Sequence, residues 1–141
     1  MKKILPFGIL LFLISAVACA DDRPVPAESL PQGAKDFISN TFPNTEIKFV
    51  VADKSDFEVM LADGTEIDFD KRGNWENVKN RNSVPGSILP AMACDYINAS
   101  YPDINIVEID KDWNGYEVKL MNNLEIWFGK DGKFLRMDYD D

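Results

Sequence analysis

The chain has 141 residues, with 15 Lys and Arg against 24 Asp and Glu, a formal charge of −9 and no histidine. That length excludes a large multidomain enzyme. The missing His removes Ser-His-Asp and Cys-His catalysis along with the commonest transition-metal ligand, and the acidic balance argues against a nucleic-acid partner.

Lys2 and Lys3 precede an apolar run from Ile4 to Ala18, followed by Ala18-Cys19-Ala20 and Asp21-Asp22. A basic start, a short apolar stretch and an A-x-A site predict a signal peptide over residues 1–20. A membrane span needs about 20 apolar residues, and no later segment is apolar for long enough, so no transmembrane segment is expected in the mature chain. Two processing routes stay open. Cleavage after Ala20 leaves Asp21 first, whereas lipoprotein processing would make Cys19 the lipid-bearing first residue. Ala16-Val17-Ala18-Cys19 resembles a degenerate lipobox without the usual Leu. Removing Lys2 and Lys3 leaves 13 basic against 24 acidic side chains, a charge of −11. The expected location is the periplasm or the exterior, free or anchored through Cys19.

After an extension at 21–29, residues 30–82 align without a gap on residues 89–141, a shift of 59. Leu30-Pro31 falls on Leu89-Pro90, Phe42-Pro43 on Tyr101-Pro102, and Phe57-Glu58-Val59 on Tyr116-Glu117-Val118. Glu66-Ile67 falls on Glu125-Ile126 and Gly73 on Gly132. Each copy opens on a helix: Leu30, Ala34, Phe37, Ile38 and Phe42 form one apolar stripe, repeated by Leu89, Ala93, Tyr96, Ile97 and Tyr101. Pro31 and Pro90 suit a first turn, while Pro43 and Pro102 stop the helix.

The period then changes to two. Phe57, Val59 and Leu61 alternate with Glu58 and Met60, and Ile67 and Phe69 alternate with Glu66, Asp68 and Asp70. This is the pattern of antiparallel strands with one buried and one wet face. Asp63-Gly64, Asn114-Gly115, Asn122-Asn123 and Asp131-Gly132 read as tight turns. Strands are predicted near 46–53, 56–62, 65–70 and 74–79, and near 105–112, 115–121, 124–129 and 133–138. The linker is 80–88. The expected fold is α+β: two tandem repeats (30–79 and 89–141), each a helix followed by a four-stranded antiparallel meander sheet. Units this small are marginal alone, so the two should pack together or share one continuous sheet surface.

The unit Leu-Pro…Ile…Tyr/Phe-Pro…Tyr-Glu-Val-x-Leu…Glu-Ile-x-Phe-x-x-x-Gly, duplicated behind a signal peptide, resembles the secreted PepSY-like proteins of Bacteroides-type bacteria, which are described as similar to β-lactamase inhibitor protein. The resemblance spans Leu30 to Asp141. It implies a helix against an antiparallel sheet in each half and, beyond that, binding or inhibition of another periplasmic protein. Its landmarks are structural positions, so no functional residue is carried across.

With cleavage after Ala20, Cys94 is the remaining thiol, and it reads as a packing residue. Asp110, Asp112 and Asn114 copy the first half of a calcium loop, with Gly115 at the sixth place, but Met121 stands where a bidentate Glu should be. The segment reads as a hairpin turn, with these three as the weak metal candidates and no cofactor expected. Glu58, Glu66, Asp68, Glu117 and Glu125 read as a solvated sheet face, with nothing in the sequence to bury one apart from the rest as acid–base chemistry requires. No enzyme is expected. Met60, Trp113, Trp127 and Tyr139 are the candidate partner-binding residues, because large rings on a wet face make interface anchors. The function expected is a secreted binding module that docks an unidentified periplasmic or extracellular protein or peptide on its sheet faces, inhibition of a peptidase or β-lactamase being one form of that docking. The alternative is an envelope protein binding Ca²⁺ or cationic ligands through its acidic hairpin loops.

Overall fold

A computed structural model of the protein describes residues 22–139. The predicted signal peptide, Cys19 and both processing alternatives lie outside them. The helices are α1 (Gln32–Thr41) and α2 (Ala91–Ser100). The strands are β1 (Arg23–Val25), β2 (Ile47–Ala52), β3 (Asp56–Leu61), β4 (Glu66–Asp70) and β5 (Trp75–Lys79), then β6 (Ile106–Asp112), β7 (Gly115–Leu120), β8 (Leu124–Gly129) and β9 (Phe134–Tyr139).

Each helix begins where a proline with extended backbone (Pro31, ψ 153°; Pro90, ψ 149°) hands over to helical geometry. Each ends where the N–H of Phe42 or Tyr101 donates to the carbonyl of Ile38 or Ile97, just before the next proline forbids another turn. Ala34 and Ile38, and likewise Ala93 and Ile97, point into the core. Phe37 of α1 packs edge-on to Phe69 of β4 and stacks on Trp75 of β5. Tyr96 of α2 does the same on Phe128 of β8 and Phe134 of β9. The register of these contacts rests on one glycine per half. A Cβ on Gly73 would come within 2.9 Å of the Ala34 nitrogen, and one on Gly132 within 2.9 Å of the Ala93 nitrogen, and both glycines have φ above +90°. Only glycine lets the β4–β5 and β8–β9 turns slide beneath the helix N-termini.

The expected pair of four-stranded meander sheets, one per repeat, is not what forms. Among the described residues the strands build a single nine-stranded antiparallel sheet, and the chain is mostly β with two short helices. The strands lie in chain order from β1 at one edge to β9 at the other. The physical reason is the junction of the halves. Asn77, Val78 and Lys79 of β5 pair with Asp110, Ile109 and Glu108 of β6, so neither strand is left as an open edge. The linker joins that pairing: the Asn80 N–H donates to the Val107 carbonyl, and the Val84 N–H to that of Ile106. Buried Asn80 is satisfied by donating to Thr65 Oγ1 at 2.9 Å and by accepting from the Asn82 N–H. One hydrophobic cluster follows, running from Val50 and Val59 through Val78 and Ile109 to Ile126 and Phe128. β1 lies within the segment read as an extension. It is three residues long with Pro24 at its centre, so it has no periodicity to read, and its pairing with Val50–Ala52 sets it in place.

Candidate functional site

With both helices on one face, the other face of the sheet is open. The pairing register sorts its side chains into two rows across the strands. One row runs Val51, Glu58, Asp68, Asn77, Asp110, Glu117, Trp127 and Arg136, from β2 to β9. The next runs Phe49, Met60, Glu66, Lys79, Glu108, Lys119, Glu125 and Asp138. In the second row Glu66, Lys79, Glu108, Lys119 and Glu125 alternate in sign, an arrangement in which neighbouring charges offset one another. The first row carries four carboxylates, and Asn77 is its only neutral amide between them.

That acidic row lines a groove of about 550 Å³ bounded by Asp68, Asn77, Asp110, Glu117, Trp127 and Leu135. Its charges are held at a cost. Burial, then the neighbouring carboxylates Glu58, Asp56 and Glu66, push Asp68 up to about 6, with Lys79 opposing. Burial also raises Asp110 and Glu117. Asn77 eases Asp110 by donating its amide N–H to it, and the Trp127 indole N–H eases Glu117 in the same way. The Asn77 amide also donates to Glu108, at 2.9 Å. On the far side of the indole, the Arg136 guanidinium carbon lies 3.8 Å from the ring centroid of Trp127. The face expected to be evenly solvated therefore holds a row of carboxylates in which Asp68 and Glu117 are half-buried and Glu58 and Asp110 exposed, with Asp68 set apart by its shift. Sequence alternation marks which residues point outward, but not which of them neighbours on other strands will shield.

The four candidate binding residues are spread out. Trp127 is half-buried at the end of the acidic row, between Glu117 and Arg136. Trp113 stands in the β6–β7 turn with 77% of its surface exposed. Met60 lies in the second row, opposite Phe49 and Glu66, five strands or roughly 24 Å from Trp127. Tyr139 is exposed near the end of β9, opposite Leu124. Trp127 alone of the four lines the acidic groove, and strand pairing sets it in one row with Asp68 and Glu117, expected on a solvated face, and Asp110, expected in a hairpin turn.

Of the metal candidates, Asp112 is engaged locally: its Oδ1 accepts from the N–H groups of Asn114 (2.7 Å) and Gly115 (3.1 Å), closing the turn. Asp53 does the same for Ser55 and Asp56 in the first half. Asp110 belongs to the groove. Among the described residues no group of three or more Asp, Glu or Cys side chains is gathered as a metal site. Cys94 is half-buried against the core, as a packing residue would be.

The comparisons with known proteins agree on one relationship. A periplasmic protein from Bacteroides thetaiotaomicron, named provisionally as calcium-regulated, is 33% identical with a TM-score of 0.77, over 83% of this chain and 96% of its own. A periplasmic protein of unknown function from Bacteroides vulgatus is 30% identical with a TM-score of 0.77, over 83% and 98%. A third, a DUF2874-family periplasmic protein from the same species, is 31% identical with a TM-score of 0.76, over 84% and 97%. The curated proteins yield no match. No helix among the described residues is long and apolar enough to cross a membrane. The profile of the family described provisionally as beta-lactamase-inhibitor-like, PepSY-like matches residues 17–62 and 55–136, and with relatives this similar along nearly their whole length, the chain belongs to that family.

Proposed function

We propose that the protein is a non-enzymatic periplasmic binding module that docks a basic segment of another protein in the acidic groove of its open sheet face. One observation carries this reading: Asp68, Asp110 and Glu117 lie in a single cross-strand row, each held above the ordinary carboxylate range by burial. Like charges kept partly from water are costly, and a lysine or arginine placed among them relieves that cost directly. Trp127 offers a flat apolar wall at the end of the row, suited to the stem of a long cationic side chain. Inhibition is the form this docking takes where the basic segment borders a partner enzyme's active site, in keeping with the family's description.

Titration calorimetry with an oligolysine peptide tests it. Binding is expected at pH 7.5, weakening as pH falls through about 6, where Asp68 takes up its proton. An Asp110→Asn, Glu117→Gln variant should bind at least tenfold more weakly. Equal binding by the variant and the native protein would refute the reading. The relative named as calcium-regulated makes Ca²⁺ the natural competitor. Displacement of the peptide by millimolar Ca²⁺ would favour a cation site, whereas insensitivity to the ion would favour a protein partner.

A further inference from the structure

The two edges of the sheet are built differently. β1 is three residues long, with Pro24 in its middle and Pro26 directly after it, so this edge offers little for another strand to pair with. β9 is six residues long, contains no proline, and is exposed along its whole length. Of the eight large hydrophobic side chains most exposed among the described residues, four lie on it: Phe134, Leu135, Met137 and Tyr139. A long, exposed edge strand free of proline is a template for another strand.

We infer that β9 pairs antiparallel with β9 of a second copy of this chain, about a two-fold axis through Met137. The strand is complementary to itself in that register. Arg136 of one copy faces Asp138 of the other, twice, on the open face, where the register with Trp127 and Glu125 already points these two side chains. Met137 meets Met137 on the helix side, above Ile126, with Tyr139 alongside. The bulge between Phe134 and Arg136 ends regular pairing with β8 at that point, and the three residues 136–138 carry the charge match. Because β1 is blocked, edge pairing closes after two copies and does not propagate as a filament. The dimer places two acidic grooves on one continuous sheet, with the paired Trp127–Arg136 units between them.

Sedimentation equilibrium on the intact protein, from about 5 µM to 0.5 mM, tests this. The native protein should follow a monomer–dimer equilibrium. Arg136→Asp and Asp138→Arg, each of which sets like charges face to face, should raise the dissociation constant at least tenfold. The double exchange Arg136→Asp, Asp138→Arg rebuilds the match with reversed sign and should restore it to within about threefold. Circular dichroism melts establish that each variant is folded. A native protein that is monomeric throughout would overturn the inference, as would folded single variants that dimerise normally or a folded double variant that does not recover. Amide exchange supplies a second readout. Protection of the β9 amides in the dimer is expected, and protection only on addition of another protein would assign the edge to a foreign strand instead.

Discussion

The side-chain amide of Asn77 in β5 donates across the junction of the two halves to Asp110 in β6. It is the point where two repeats become one sheet and also where the acidic row is interrupted by a donor. The same amide reaches Glu108 at 2.9 Å. Asn77→Ala should cost about 1–2 kcal/mol in urea unfolding at pH 7, because half-buried Glu108 and its neighbour Asp110 both lose a donor. Asp110, already raised by burial, should titrate higher still, which carboxyl NMR reads directly. A variant with native stability and unchanged Asp110 would show that the contact has no energetic weight.

Asp68 makes stability depend on pH in an unusual direction. Its pKa in the fold is about 6 against an ordinary value of 3.8, so between those values the folded state holds the proton more tightly than the unfolded one. Its favourable contribution is complete below about pH 3.8 and is lost as pH rises through about 6. Asp68→Asn should therefore stabilise the protein at pH 7.5, by on the order of 1 kcal/mol once solvent screening at this half-open position is allowed for. At pH 3.5 it should have little effect. Denaturant midpoints at the two pH values decide it: the same effect at both would place the gain elsewhere.

Trp127 is tied to the row by its indole N–H as well as by its ring. Trp127→Phe keeps a ring under Arg136 but removes the donor to Glu117. The Glu117 carboxyl should move further above its ordinary value, and stability at pH 7 should fall by about 1 kcal/mol. Binding of a cationic peptide should be reduced less than in Trp127→Ala. Carboxyl NMR and calorimetry read the two effects separately.

Gly73 and Gly132 set the helices on the sheet. Adding a methyl group at either forces apart a turn and a helix N-terminus that meet through backbone atoms, at a φ that disfavours any side chain. Gly73→Ala and Gly132→Ala should each cost about 2–4 kcal/mol in unfolding experiments. By contrast Gly64→Ala, where a Cβ would touch nothing within 4 Å, should cost about 1 kcal/mol, from backbone strain alone. Equal losses at all three positions would refute the close-approach account.

Much of this molecule is legible in its amino-acid order because the determining interactions are local or periodic. The stripe from Leu30 to Phe42, the prolines that bracket it, the alternation around Val59 and Ile67 and the Asp-Gly and Asn-Asn turns each act within a few residues. Elements α1, α2 and β2 to β9 lie close to where those signals put them. What the sequence could not express was decided between segments far apart in it. The pairing of Val78 with Ile109 decides for one continuous sheet where the amino-acid order left two packed sheets and one shared surface both open, and a three-residue strand around Pro24 forms only because Val50–Ala52 is there to pair with it. The acidic row is of the same kind. Asp68 lies 42 residues before Asp110 and 49 before Glu117, and the local pattern reads Asp68 and Glu117 as solvated sheet-face carboxylates and Asp110 as part of a hairpin turn. Strand register brings them into line, and the shielding that shifts their titration is a property of neighbours the chain order does not name. Periodicity determines which way a side chain faces, whereas register and packing determine what it faces.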